Sequence, residues 1–245
     1  MKRYPNGIAG KFFFMKRAPE PRPDWIETCA ILHKSGNLIH FPMVQDLASL
    51  LWVVNLGCID LNQWYATCDD VNRPDYLHFD LDPVAPASFA DVRRAALRVH
   101  EYLDNIKLRA FPKTSGSRGI HIYVPIRRGP LQKEVWTVAK KMALEMAAKH
   151  PDLLTAEYRT KKRPAKHILV DYNQNAWGRT LASVYSVRPT TKATVSAPVA
   201  WAELSAGIDA GDYTLSNMPG RVAKVGDLFK PLLEKRGRCD LRAYL

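Results

Sequence analysis

The chain has 245 residues, 47% of them hydrophobic, enough to bury a core and too apolar for wholesale disorder. No apolar run reaches the roughly 18 residues of a membrane span, and Met1-Lys2-Arg3-Tyr4-Pro5 lacks the apolar centre of a secretion signal, so a cytoplasmic protein with no membrane partner is expected. Lys and Arg number 36 against 24 Asp and Glu, a net charge of +12 that suits a polyanionic partner whose phosphates the cations neutralise.

The N-terminal stretch carries Phe12-Phe13-Phe14, then Pro19, Pro21 and Pro23, and reads as a short strand followed by an irregular connection. Residues 38–43 read as a strand. Asp46 is placed to cap a helix with apolar Leu47, Leu50, Leu51 and Val54, which Gly57 ends. Cys58 to Trp64 reads as extended chain. Tyr76 to Pro83 is a strand that its proline stops. Ser88 caps a helix to about Asn105, with Val92, Ala95, Ala96, Val99, Leu103 and Ile106 on one stripe.

Further strands are expected at 107–112 and 120–126, joined by a glycine-containing loop, and a long helix at 131–149. Strands at 167–172 and 181–187 and short helices at 199–205 and 224–235 complete the chain. Trp52, Trp64 and Trp136 are assigned to the core. Cys29, Cys58, Cys68 and Cys239 are scattered, with no Cys-x-x-Cys pair, and are expected to be reduced thiols. The elements follow no regular strand–helix rhythm and no long linker divides them. The expected class is therefore α+β, one unit over residues 1–245, with mixed or antiparallel sheets flanked by helices around a cleft.

Asp80 and Asp82 are two apart on a strand, so their side chains share a face. Such a pair can be two solvent-facing acids at a strand end. It can also hold one or two hard cations that keep waters for a phosphate. The flanking Leu77, Phe79 and Leu81 set the pair beside a core, where like charges repel unless a cation compensates. Asp171, after the apolar run Ile168-Leu169-Val170, is on local pattern alone a third carboxylate or a turn residue.

The segment Lys113-Thr114-Ser115-Gly116-Ser117-Arg118-Gly119-Ile120-His121 joins two strands. Its glycines can turn backbone N–H groups toward an anion, its serines add hydroxyls, and Lys113, Arg118 and His121 add cationic or ring donors. It lacks the Gly-Lys-Ser/Thr ending of a Walker A loop, and a plain glycine-rich hairpin fits the same composition. Lys161-Lys162-Arg163 with Lys166, and Arg179 with Arg188, can line a polyanion channel or simply face solvent. Phe12 to Phe14 can supply a base-stacking platform or core cover.

Taken in order, these motifs resemble the polymerase domain of bacterial ATP-dependent DNA ligase D, a member of the archaeo-eukaryotic primase superfamily used in non-homologous end joining. The resemblance starts at Lys2-Arg3-Tyr4-Pro5-Asn6-Gly7. It continues through Asp80-Leu81-Asp82-Pro83, the Thr114-to-His121 motif, Val170-Asp171-Tyr172 with Gln174-Asn175, Tyr185-Ser186-Val187-Arg188 and Thr194-Val195-Ser196-Ala197-Pro198. It implies a primase-polymerase-like fold and template-dependent addition of nucleotides, often ribonucleotides, to DNA 3′ ends. By the same resemblance, Asp80, Asp82 and Asp171 would bind two Mn²⁺ or Mg²⁺ ions. Ser115, Arg118 and His121 would hold the incoming triphosphate, Lys2 would lie near the nucleotide, Arg188 and Arg179 near its phosphates, and Phe14 would stack on its base. Implied partners are gapped or broken DNA ends, nucleoside triphosphates, a DNA ligase and an end-binding protein.

Two departures stand out. Asn62 occupies a position where the family usually has a histidine, and an amide does not titrate near neutral pH. The sequence also begins inside the family's pattern, past a segment that supplies basic contacts to a DNA 5′-phosphate, so weaker recognition of 5′-phosphorylated ends is expected. A non-catalytic DNA-end or nucleotide-binding module and a two-metal nuclease are the alternative readings, and the nuclease leaves the Ser-Gly-Ser-Arg-Gly loop unexplained.

Overall fold

The computed structural model describes residues 1–33 and 35–245. The N-terminal stretch forms two short strands, β1 (Lys2–Arg3) and β2 (Phe13–Phe14), and then a hairpin of β3 (Thr28–Leu32) and β4 (Leu38–Pro42). Helix α1 (Leu47–Asn55) is closed at its start by a capping box in which Ser49 N donates to Asp46 Oδ1 at 2.7 Å. Strands β5 (Cys58–Asp60) and β6 (Asn62–Gln63) follow. The central region comprises β7 (Tyr76–Pro83), α2 (Phe89–Asn105), β8 (Phe111–Thr114), β9 (Ile120–Pro125) and α3 (Gln132–Lys149). The remainder holds β10 (Leu154–Thr155), β11 (Ile168–Asp171), β12 (Leu181–Ala182), α4 (Trp201–Ala206), α5 (Met218–Val225) and α6 (Lys230–Leu233).

Five of these strands make the central sheet, in the order β10-β11-β7-β9-β8. Only β10 and β11 run parallel; the other neighbours are antiparallel. Leu77, Phe79 and Leu81 of β7, Ile120, Ile122 and Val124 of β9, and Ile168 and Val170 of β11 share one face. That face meets Val92, Ala95, Ala96, Val99 and Leu103 of α2 and Val135, Val138, Ala139, Met142 and Met146 of α3 in a single core. The Ser88–Asp91 capping box starts α2 where its apolar stripe begins. The alternate residues of the same strands, including His78, Asp80, His121, Leu169 and Asp171, point to the other face. The α+β class expected from the sequence is the one observed.

Several local expectations are corrected. The strand set at 107–112 lies instead at Phe111–Thr114, because Lys107 takes a positive φ of 61° and Leu108 N bonds back to Leu103 O, closing α2. Tyr185, with φ 62°, limits the strand expected at 181–187 to Leu181–Ala182. The helix expected at 224–235 is two helices broken at Gly226. Leu47, Leu50, Leu51 and Val54 of α1 are exposed, and its buried residues are Ser49 and Val53, so the apolar stripe faces outward. Trp52, Trp64 and Trp136 are half-buried rather than core. Cys29 and Cys68 are not free thiols. They form a disulfide with Cα atoms 5.8 Å apart, bringing together two cysteines that sequence spacing had shown only as scattered. Among the described residues no helix is long and apolar enough to cross a membrane.

Burial predicts how two phenylalanines respond to truncation. Phe79 is fully buried, whereas Phe14 is 67% exposed. Phe79→Ala should cost about 3–5 kcal/mol, and Phe14→Ala should stay within about 0.5 kcal/mol of the parent. Thermal denaturation of the two variants checks this, and equal losses would contradict the assignment of the core face.

Candidate active site

The polar face of the sheet is organised by strand register. Lys113 of β8 pairs with His121 of β9, His121 with Asp80 of β7, and Asp80 with Asp171 of β11. Four chemically active residues therefore stand in one row across four neighbouring strands. Asp82 lies two residues further along β7 on the same face, toward the strand end that Pro83 closes. Side chains directly opposite on antiparallel strands are within reach of one another.

Burial and repulsion set the protonation of this row. Burial pushes the Asp80 carboxyl up to about 6. Asp82 rises to about 7, chiefly because the Asp80 charge stands beside it, with burial and Asp171 adding. Asp82 is nonetheless open to solvent at its surface, so water screens part of that repulsion. Burial raises Asp171 as well, while bonds from Asn173 N at 2.8 Å and Gln174 Nε2 at 3.0 Å oppose the rise. His121 is held well below the ordinary imidazole value by burial, with Lys113 and Arg188 adding. Lys113 Nζ lies 2.8 Å from His121 Nδ1. An amine donor there makes Nδ1 the acceptor and leaves the ring proton on Nε2, which faces Asp80 Oδ1 at 3.3 Å.

Three carboxylates on one face form a donor set that suits a hard divalent cation. Asp80 Oδ1 is also buried, and His121 Nε2 at 3.3 Å is not aligned to hydrogen-bond it. Among the described residues, no three His, Cys, Asp or Glu side chains converge in a ready-made metal cage. Asp171 is turned toward Asn173 and Gln174, so the site presents neighbouring ligands that a cation would have to draw together.

The loop after β8 is built around Ser115. Its Oγ accepts from Ser117 N at 3.1 Å and Gly119 N at 3.0 Å, which curls the loop back on itself. Two glycines are there because nothing larger fits. A Cβ on Gly119 would meet Leu81 O at 2.6 Å, and one on Gly116, whose φ is +68°, would meet Arg188 Cγ at 2.5 Å. The loop thus presses against the carboxylate strand on one side and the Arg188 stem on the other. Arg118 is exposed at its tip.

On the other side of Arg188 lies Asp60, a fully buried carboxylate. It is 3.2 Å from Lys2 Nζ, and it accepts from Arg188 Nη1 at 3.0 Å and Asn62 Nδ2 at 3.1 Å. Phe14 is exposed next to Lys2. A cavity of about 610 Å³ is lined by Phe14, Phe41, Asn62, Gln63, Trp64 and Thr180, among others.

A profile of the LigD primase-polymerase domain matches residues 1–229. The chain belongs to this family. It is 30% identical over 233 residues to the multifunctional non-homologous end joining protein LigD of Mycolicibacterium smegmatis, covering 94% of this chain and 30% of that protein. It is 29% identical over 225 residues to the bifunctional LigD of Bacillus subtilis, covering 91% of this chain and 36% of that protein. The polymerase domain of Mycobacterium tuberculosis Ligase D, solved in complex with DNA, superposes with a TM-score of 0.85 at 29% identity, over 94% of this chain and 82% of that one. The chain therefore spans about a third of the length of these two LigD proteins.

Within this LigD-type fold the expected residues fall into two groups that Arg188 joins. Asp80, Asp82, Asp171, Ser115, Arg118 and His121 gather at one end of the polar face, and Lys2, Phe14 and Asn62 gather around Asp60. Among the described residues Arg179 bonds to neither group; it is exposed between Gly178 and Thr180, which line the cavity. Lys113 is corrected. It is no phosphate-facing cation but is fully buried, and burial lowers its pKa well below the ordinary lysine value. The sequence reading missed Asp60 as a hub, Gln174 as a support for Asp171, and Thr194, which donates to Gly116 O. Of these, Gln174 and Thr194 stood in motifs marked by the resemblance, though without a role, and Asp60 did not.

The raised carboxylates imply a pH response in the metal-free chain. A carboxyl whose pKa is raised by folding contributes stability that is fully present below the unfolded value and is lost as pH rises through the folded one. Stability should therefore fall as pH rises from about 4, the unfolded carboxyl value, to about 7, the folded value of Asp82, without divalent ions. Asp82→Asn should flatten that fall and raise Tm at about pH 8 by about 2–4 °C, allowing for screening. Melting curves across pH test it; an unchanged slope in Asp82→Asn would count against electrostatic crowding.

Proposed function

We propose that this chain is a template-dependent nucleotidyltransferase that adds ribo- or deoxyribonucleotides to DNA 3′ ends during end-joining repair, and that it acts in the cytoplasm. The observation that carries the reading is the Lys113–His121–Asp80–Asp171 row with Asp82 beside it, set against the Ser115–Gly119 loop. Family membership supports the same reading, and the solved relative's complex with DNA supports a DNA partner.

Asp80, Asp82 and Asp171 are the residues that would hold two Mn²⁺ or Mg²⁺ ions, which when bound lower the pKa of the attacking 3′-hydroxyl and neutralise the departing pyrophosphate. The chain's own groups do the rest by positioning and charge stabilisation. The Ser115–Gly119 backbone and the exposed Arg118 bind the triphosphate, and His121 offers its Nε2 proton as a neutral donor. Arg188 and Lys2 add charge along the phosphates, with Arg179 at the cavity rim, and Phe14 offers an exposed ring to the base. No side-chain nucleophile is needed. A DNA ligase and an end-binding protein are the partners this function calls for, since a filled gap still has to be sealed.

Primer extension on a gapped, 5′-phosphorylated duplex tests the proposal. Wild-type chain with Mn²⁺ and nucleoside triphosphates should extend the primer, and Asp82→Ala should reduce the rate by at least about a hundredfold. Triphosphate and DNA binding without extension would identify a binding module instead. Loss of labelled DNA without added triphosphate would identify a nuclease.

A further inference from the structure

We infer that Asp60 is a positioning residue that holds the base-facing and phosphate-facing halves of the nucleotide site at a set separation. This inference rests on the nucleotidyltransferase reading above. Three segments far apart in sequence meet at this one carboxylate. Oδ2 lies 3.2 Å from Lys2 Nζ on β1, and Oδ1 accepts from Arg188 Nη1 at 3.0 Å and from Asn62 Nδ2 at 3.1 Å. Asn62 Nδ2 also donates to the Asp60 backbone oxygen at 3.1 Å, which braces the carboxylate from its own strand edge.

Each cation then reaches a different half of the site. Lys2 Nζ stands 5.3 Å from the Phe12 ring centroid and 5.8 Å from that of Phe14, so it sits between Asp60 and the exposed aromatic pair. The Arg188 stem packs on Gly116 so closely that a Cβ there would be 2.5 Å from its Cγ. Asp60 is therefore the shared anchor between the aromatic platform and the Ser115–Gly119 loop.

Its exposure pattern separates positioning from plain stabilisation. The Asp60 side chain is 0% exposed, whereas the side chains of Lys2 and Arg188 are 26% and 17% exposed. The anion faces the protein and the cations face the cleft. A buried ion pair contributes little net stability, because desolvation offsets the attraction. What it does supply is geometry: two cations that would otherwise wander are held at one spacing.

Positioning and charge make opposite predictions for Asp60→Asn. If Asp60 only cancelled positive charge, its removal would leave a more cationic cleft and tighten triphosphate binding. If it positions the cations, its removal weakens binding. The test is calorimetric titration of ATP, with Mg²⁺, into the intact chain, together with extension kinetics. Asp60→Asn should weaken ATP binding by about tenfold and raise the nucleotide KM by a similar factor, with DNA affinity unchanged within about twofold. Unchanged or tighter ATP binding would overturn the inference, as would a loss confined to kcat, the signature of a smaller folded fraction.

Should Asp60→Asn fail to fold, the double variant Asp60→Asn/Arg188→Gln removes anion and cation together. Added to Arg188→Gln, the second change should cost less than about threefold in ATP binding, since Asp60 acts in part through Arg188. A further tenfold loss would show Asp60 acting independently of Arg188 and would refute the assignment. A wild-type chain that binds no triphosphate sinks the enzyme reading along with this one. A wild type that binds, beside an Asp60→Asn that binds equally well, sinks this one alone.

Discussion

A sheet buried on both faces has to put its polar residues somewhere, and β7 puts them all on one side. Leu77, Phe79 and Leu81 are fully buried against the two long helices, so the two-residue period of the strand sends His78, Asp80 and Asp82 the other way. A register slip of one residue would bury the carboxylates under α2 and α3 and expose the leucines, so the helical core fixes the register as firmly as the hydrogen bonds do. The neighbours obey the same rule. Burial of Ile120 and Ile122 places His121 opposite Asp80, and burial of Ile168 and Val170 places Asp171 there too. The site is the reverse side of the hydrophobic core.

That arrangement brings groups close at an electrostatic cost. Burial raises Asp80 and Asp171, the Asp80 charge leads burial in raising Asp82, and burial lowers His121 and Lys113. Both shifts favour the neutral form, so the row holds less charge than its residue types suggest. The permanent charge sits further out, on Arg118, Arg188 and Lys2. The glycines matter for the same reason of distance: with a side chain at Gly116 or Gly119 the loop would stand away from both Arg188 and the carboxylate strand. A polyanion entering this cleft would meet fixed cations at its rim and a floor of carboxylates whose ionisation burial and repulsion reduce.

How much of this was legible in the sequence follows from which interactions are local. The alternation of β7, the capping boxes of α1 and α2 and the amphipathic stripe of α2 are local, and their elements were read within a residue or two. Three ordered motifs were enough to mark the carboxylates and the loop. The local failures are single backbone positions, such as the positive φ of Lys107 and Tyr185; the others are long-range. Lys113 is a basic residue type close to Gly116 in sequence, so composition placed it in the loop; its partners His121 and Ser196 reveal that it is buried. The apolar residues of α1 looked like a core stripe, but a helix pattern does not say which face meets the body. Cys29 and Cys68 are 39 residues apart and nothing between them signals the pairing. Asp60 lies in an unremarkable extended run, and its partners come from the first strand and from Arg188, 128 positions on.

Asn62 shows why the two kinds of reading are needed together. Resemblance marks it as a departure, an amide where the family usually has a titrating ring. The structure shows the amide committed to Asp60 through both the carboxylate and the backbone oxygen. Those two bonds have the same donor at every pH. His121, held neutral by burial, changes no charge in the neutral range either. In the unliganded chain burial moves Asp80 up to about 6, and the Asp80 charge with burial moves Asp82 up to about 7. The amide therefore does more than stand in for a histidine: it braces Asp60 with a donor that does not titrate, beside a row whose β7 carboxylates are moved toward neutral pH.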